Sequence, residues 1–138
     1  MYTSTMHELQ ITLADKPGQL AKATEIIAAE KLNLEGGASF VCSGEGKFHA
    51  LFKTDKDATA AKTALEKTGH KVSQERTVVV AEAEDKPGGA AKIYRAIADQ
   101  EVNVEYTYLA TNTRVVIGSR DPQKVTEALR APTTTARR

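Results

Sequence analysis

The sequence predicts an α+β fold made of two copies of one βαββαβ unit. Two observations predict it. Shifting the chain by 70 residues lays 15–35 over 85–105 with 10 identities in 21 positions and no gap, far above chance for unrelated segments. Within each copy, short stretches of two-residue alternation are interrupted by stretches with helical spacing, in the order strand, helix, strand, strand, helix.

The elements follow in order. "ELQITL" at 8–13 alternates polar and apolar, with Leu9, Ile11 and Leu13 on one side. Asp15 stands where an N-cap belongs and Pro17 near the first helical position, where its fixed φ costs little. Leu20, Ala23, Ile26 and Ile27 give that helix an apolar stripe to about Lys31. "LNLEGGASFVC" extends, and "SGEG" at 43–46 is hairpin chemistry. "KFHALFK" alternates with Phe48, Ala50 and Phe52 on one face. A second helix spans 57–68, opened by Asp57 and stopped by Gly69, and a long extended run follows to about Glu84.

The second copy begins inside that run. Its first strand is 77–83 and its first helix 87–100, with Ile93, Tyr94, Ile97 and Ala98 inward. "VNVEYTYLA", a turn at "TNT" and "RVVIGS" supply two more strands. The last helix starts at Asp121-Pro122 and buries Val125, Ala128 and Leu129. No eighth strand is legible after Pro132, so the second unit lacks a clear last strand and leaves an edge to be shared or covered. The units are expected at 7–76 and 77–131, followed by a polar tail at 132–138.

βαββαβ closes as a ferredoxin-like antiparallel sheet with both helices on one face. A unit of about 65 residues is marginal alone, so a homodimer is expected.

Composition excludes several classes. Lys and Arg number 19 against 18 Asp and Glu, 8 against 9 in residues 1–70 and 11 against 9 in residues 71–138, so neither half has a large basic excess. A phosphate backbone demands a basic excess, so nucleic acid is not an expected partner. Neither is a membrane, because the chain has no long apolar run and no basic amphipathic helix. The lone Cys42 forms no internal disulfide, and "MYTSTMHELQ" holds no apolar signal segment, which together predict a cytoplasmic protein.

The repeated Asp-Lys-Pro-Gly stands where a strand ends and a helix begins. Unpaired amides there, with the helix dipole, favour an anion by about 0.3–1 kcal/mol. Gly18 or Gly88 keeps the backbone approachable, and Asp15 or Asp85 can accept from an ammonium group. An amino-acid zwitterion carries both charges. The same residues also serve as plain capping chemistry, which needs no ligand. Asn33 and Asn103 recur too, either as left-handed helix terminators or as amides reaching a ligand.

At these residues the chain resembles an ACT domain twice over: "DKPGQL" at 15–20 with "LNLE" at 32–35, then "DKPG" at 85–88 with "VNVE" at 102–105. The resemblance implies small regulatory modules that bind amino acids between paired units. It points to Asp15, Pro17, Gly18, Gln19 and Leu20 facing Asn33 of another unit, and to Asp85, Pro87, Gly88, Gly89 and Ala90 facing Asn103. Gly89-Ala90 replaces Gln19-Leu20, which removes a wall and makes the second pocket wider, weaker or unused. The two units consume the chain, so a stand-alone sensor acting on a separate enzyme or regulator is implied. The alternative is a dimerising adaptor without a small ligand.

Other chemistries have less support. "GKFHALF" weakly suggests an RNA-stacking strand, but the corresponding "RVVIGS" has no aromatic. His7, His49 and His70 lack metal-ligand spacing and read as solvent-facing or structurally satisfied, and Cys42 reads as a small buried hydrophobe. Acylphosphatase-like chemistry needs an Arg where Lys16 and Lys86 stand. "GEG" lacks the strand–helix context of a dinucleotide loop. No catalytic residue, metal or cofactor is expected.

Overall fold

A computed structural model describes residues 2–130 of the chain. Its elements are β1 (Thr3–Ala14), α1 (Gln19–Ala29), β2 (Gly36–Cys42), β3 (Glu45–Phe52), α2 (Asp55–Lys67), β4 (Lys71–Glu82), α3 (Gly89–Asp99), β5 (Tyr106–Ala110), β6 (Arg114–Gly118) and α4 (Pro122–Arg130). The fold is α+β, with antiparallel strand pairs and helices. The tail expected at 132–138 lies outside the described residues.

The chain divides into two compact units, Met6–Thr77 and the segment up to Thr5 joined with the chain from Val78 onward. In the unit Met6–Thr77, β3 lies between β1 and β2 and is antiparallel to both. Leu9 pairs with Ala50, Leu13 with Gly46, and Gly36 with Leu51. The β2–β3 hairpin turns through Ser43 and Gly44, both at positive φ (53° and 79°), which matches the twist of the strands it joins. Residues of β4 run along the other side of β1, where the Ser73 hydroxyl donates to the Gln10 carbonyl at 3.1 Å.

Alternation turns Leu9, Ile11 and Leu13 to the same side as Phe48, Ala50 and Phe52. There they pack with Ala23 and Ile27 of α1 and Ala58, Ala61 and Leu65 of α2. α2 opens two residues before the expected start. Thr54 is its N-cap, its hydroxyl accepting from the Asp57 amide at 3.1 Å, so Asp57 is the capped residue and not the cap. Leu20, expected inward, is 44% exposed.

The second unit repeats the plan. β6 lies between β4 and β5, with Val79 opposite Ile117 and Leu109 opposite Val115. Val79, Ala81, Val115 and Ile117 pack against Ile93 and Ile97 of α3 and Val125 and Leu129 of α4. Asp121 caps α4, its carboxylate accepting from the Lys124 amide at 3.1 Å. Ala98, expected inward, is exposed.

The edge left open by the sequence reading is occupied. The residues before Met6 belong to this unit, and the Glu82 amide donates to the Tyr2 carbonyl at 3.2 Å. The fourth strand comes from the front of the chain, because β1 is 12 residues long and starts at Thr3, five residues before the alternation that marks it in the sequence. Likewise Cys42, expected to be buried, is exposed at the end of β2.

Candidate functional site

Each Asp-Lys-Pro-Gly forms the same turn. After β1 the Lys16 amide donates to the Ala14 carbonyl (2.9 Å), Gln19 to Lys16 (3.4 Å) and Lys22 to Gly18 (3.0 Å). After β4 the same bonds run from Lys86 to Glu84 (2.9 Å), Gly89 to Lys86 (3.0 Å) and Lys92 to Gly88 (3.1 Å). The residue that enters each helix is left-handed: Gly18 at φ 84°, ψ −7°, and Gly88 at φ 86°, ψ −5°. Only glycine adopts that conformation at little cost.

This corrects the expected capping. Asp15 and Asp85 do not cap α1 and α3, neither of which has a side-chain cap. Pro17 and Pro87 lie in the turns, two residues ahead of the helices. A left-handed entry residue turns the chain after the proline, so the preceding Asp is carried away from the first helical amides. The amides of Leu20 and Ala21, and of Ala90 and Ala91, have no hydrogen-bond partner among the described residues. Asp15 and Asp85 are exposed. Open donors and an unengaged carboxylate therefore stand together at each turn, at the positive end of a helix.

Asn33 and Asn103 are exposed, and neither is a left-handed terminator. That conformation falls two residues earlier, at Lys31 (φ 59°) and Glu101 (φ 57°). The Asn33 amide donates to the Glu35 carboxylate at 3.1 Å. The Asn103 carbonyl accepts from the Ser119 hydroxyl at 3.1 Å. Within its own unit each Asn is far from its turn. The Glu35 amide donates to Leu51, which pairs with Glu8, whereas the turn follows Ala14 at the opposite end of β1. Asn103 likewise neighbours the Gly118 end of β6, and the second turn follows Glu82 at the Arg114 end.

The two turns differ in charge. Glu84 precedes the second turn and pairs with Lys86 (2.9 Å) and Lys92 (3.2 Å). Hydrogen bonds and Coulombic attraction from both ammonium groups hold its carboxyl below the ordinary 4.5. The first repeat has Ala14 there, and Lys16 and Lys22 make no ion pair among the described residues. Gly89 has a packing reason: a Cβ on it would lie 2.0 Å from the Glu84 carbonyl oxygen. The room left by the missing side chain is thus taken up by close approach of α3 to the end of β4. At Gly18 and Gly88 a Cβ would meet nothing within 4 Å.

Beside the first turn, wholly within the unit Met6–Thr77, lies an open cleft of about 320 Å³. Thr12, Gln19, Lys22, Thr68, His70 and Lys71 supply its polar lining. Of these, only Gln19 was named as a ligand-binding candidate from the sequence. Thr12 lies near the end of β1, Lys22 on α1, and Thr68, His70 and Lys71 around the α2–β4 connection, and only folding brings them together. The sequence reading also missed a buried pair on the helix-free side of the sheet: Glu8 and His49, 1% and 6% exposed, joined Oε1 to Nδ1 at 2.9 Å. Strand alternation alone places Glu8 opposite Leu9. The Phe40 ring stacks on His49 with centroids 5.7 Å apart. Among the described residues no group of three or more His, Cys, Asp or Glu could hold a metal ion, and no helix is long and apolar enough to cross a membrane.

No family model and no curated protein matches the chain. Solved structures do. Protein BT0572 from Bacteroides thetaiotaomicron is 27% identical with a TM-score of 0.78, covering 92% of this chain and 88% of that one. The ligand-free regulatory subunit of aspartate kinase from Thermus thermophilus is 18% identical, TM-score 0.69, covering 92% and 93%. The corresponding subunit from Thermus flavus is 19% identical, TM-score 0.64, covering 94% and 95%. Two of these three structures are regulatory subunits of aspartate kinase, and what they share with this chain is the fold, over nearly its whole length.

Proposed function

We propose that the chain is a non-catalytic regulatory protein of two ACT-type units that binds a free amino acid at the Asp-Lys-Pro-Gly turns, the first in preference to the second. The carrying observation is the duplicated turn itself, with the same hydrogen bonds in both copies, open amides at Leu20 and Ala21, and an exposed Asp15 beside them. The amides receive the ligand carboxylate and Asp15 its ammonium group. Leu20, with its side chain 44% exposed, offers apolar contact, and Asn33 of a facing unit closes the pocket. In the second copy Asp85, Pro87, Gly88, Gly89, Ala90 and Asn103 stand in the same roles, weakened by the Glu84 carboxylate.

The protein works as a cytoplasmic homodimer and passes amino-acid occupancy to an enzyme or regulator in trans. Phe40 and Val41 of β2, 51% and 57% exposed, give apolar surface for a second copy. The regulatory aspartate kinase subunits of the same fold support the regulatory role, and the two Asp-Lys-Pro-Gly turns support the ligand class.

A thermal-shift series against the twenty amino acids at millimolar concentration tests the reading. One or a few should raise the melting temperature, since a ligand at a hundred times its Kd stabilises by about 2.7 kcal/mol. Asp15→Asn should weaken that ligand by about 10- to 100-fold, from the roughly 1.5–3 kcal/mol of a hydrogen bond to a charged group. No shift with any amino acid would leave the dimerising adaptor.

A further inference from the structure

The cleft beside the first turn has a charge pattern that a zwitterion does not fit. Two cations, Lys22 and Lys71, line it, and no carboxylate does. Neither lysine makes an ion pair among the described residues. The Thr68 hydroxyl lies 2.8 Å from the Leu65 carbonyl and 2.9 Å from His70 Nδ1, so these groups are already engaged with one another. With the Gln19 amide, the lining offers a donor and positive charge from α1 and β4. An ammonium group finds no anionic partner there. A ligand with two negative charges finds one cation for each.

We infer that this cleft binds a small dianion, a phosphate monoester or a dicarboxylate, as a second ligand class separate from the amino acid. The site shares Gln19 with the first turn but uses none of Asp15, Gly18 or Asn33, and its two lysines belong to the cleft alone. Its position does tie the two together. Gln19 lines the cleft and is also the first residue of α1, so an occupant here bears on the helix start that borders the turn.

The test is isothermal titration at constant ionic strength with inorganic phosphate, succinate, glycine and, as the blank, sodium chloride. The wild type is compared with Lys22→Met and Lys71→Met, both at exposed positions, with circular dichroism confirming the fold. Saturable one-to-one binding of phosphate, succinate or both is expected, weakened at least tenfold in each variant, with glycine no different from chloride in its effect on that binding. Phosphate alone identifies a phosphate ester as the class, and succinate alone a dicarboxylate. Heats that scale only with ionic strength, glycine competing for the same site, or full affinity retained in either variant would overturn the inference. The amino-acid panel run on the two variants separates the readings: amino-acid binding lost everywhere while phosphate or succinate still binds removes only the sensor.

Discussion

Ala14 and Glu84 hold the same place, one residue before the Asp of each repeated turn, and only Glu84 draws its neighbouring lysines in, at 2.9 and 3.2 Å. A carboxylate of the protein's own stands at the second turn where the first has a methyl group. The two sites, alike in backbone, are therefore unlike in the field a ligand carboxylate meets.

Glu84→Ala should equalise them. Removing one negative charge beside Ala90 and Ala91 frees Lys86 and Lys92 and makes an anion at that helix start more favourable. Calorimetric titration with the amino acid that shifts the wild type should change from one tight site to two comparable ones, with the first site's Kd unchanged. A weakened first site would contradict the assignment.

The glycines of the second turn separate conformation from space. Gly88→Ala should cost about 1 kcal/mol, the penalty for a Cβ in left-handed backbone, because nothing lies within 4 Å of it. Gly89→Ala should cost more, about 2–3 kcal/mol, since its Cβ would meet the Glu84 carbonyl at 2.0 Å and backbone must move. Urea unfolding of the two variants gives the order. The reverse order would mean that α3 does not press on the end of β4.

Acid should erase what Glu84 contributes. Its carboxyl is held below the ordinary 4.5 by Lys86 and Lys92. The folded state therefore binds this proton less tightly than the unfolded chain, and the contribution is complete above the unfolded value. It is lost as pH falls from about 4.5 through the lower folded value. The melting temperatures of wild type and Glu84→Gln should differ slightly at neutral pH and converge as pH falls through the lowered folded value. The pair is exposed, so the gap is small, and salt should narrow it.

The front of the chain should protect the back. Deleting residues 1–5 removes the strand beside β4 and the carbonyl that receives the Glu82 amide. Hydrogen exchange at Glu82 should accelerate markedly, while Leu9, Ile11 and the β3 amides that pair with them keep their protection. Unchanged exchange at Glu82 would show that the Tyr2 contact contributes nothing in solution.

Much of this was legible in the residues. Alternation placed Leu9, Ile11, Leu13, Phe48, Ala50 and Phe52 on one face, and they form one core. Asp121-Pro122 announced α4 by capping chemistry that the structure contains. The repeated turn was legible as a junction but not in its geometry. Asp15 and Pro17 carry helix-start propensity, and the left-handed Gly18 overrides it by setting the entry two residues later. The fourth strand of the second unit was invisible because Thr3–Thr5 alternate too briefly to register and sit at the wrong end of the chain for a local reading. The cleft was invisible because Lys22 is far in sequence from His70 and Lys71. The Ala14/Glu84 difference could have been found, since sliding the chain by 70 sets the two side by side, one step before the matched block.

The central claim is that the first turn grips a free amino acid by its two charges. Titrating the best-shifting amino acid, its methyl ester and its deaminated acid into the wild type and Asp15→Asn tests it most directly. The account predicts saturable binding of the intact amino acid to the wild type, weakened by about 10- to 100-fold in Asp15→Asn, with the ester and the acid each weaker by about tenfold or more. Equal binding of all three, or undiminished binding to Asp15→Asn, would contradict it.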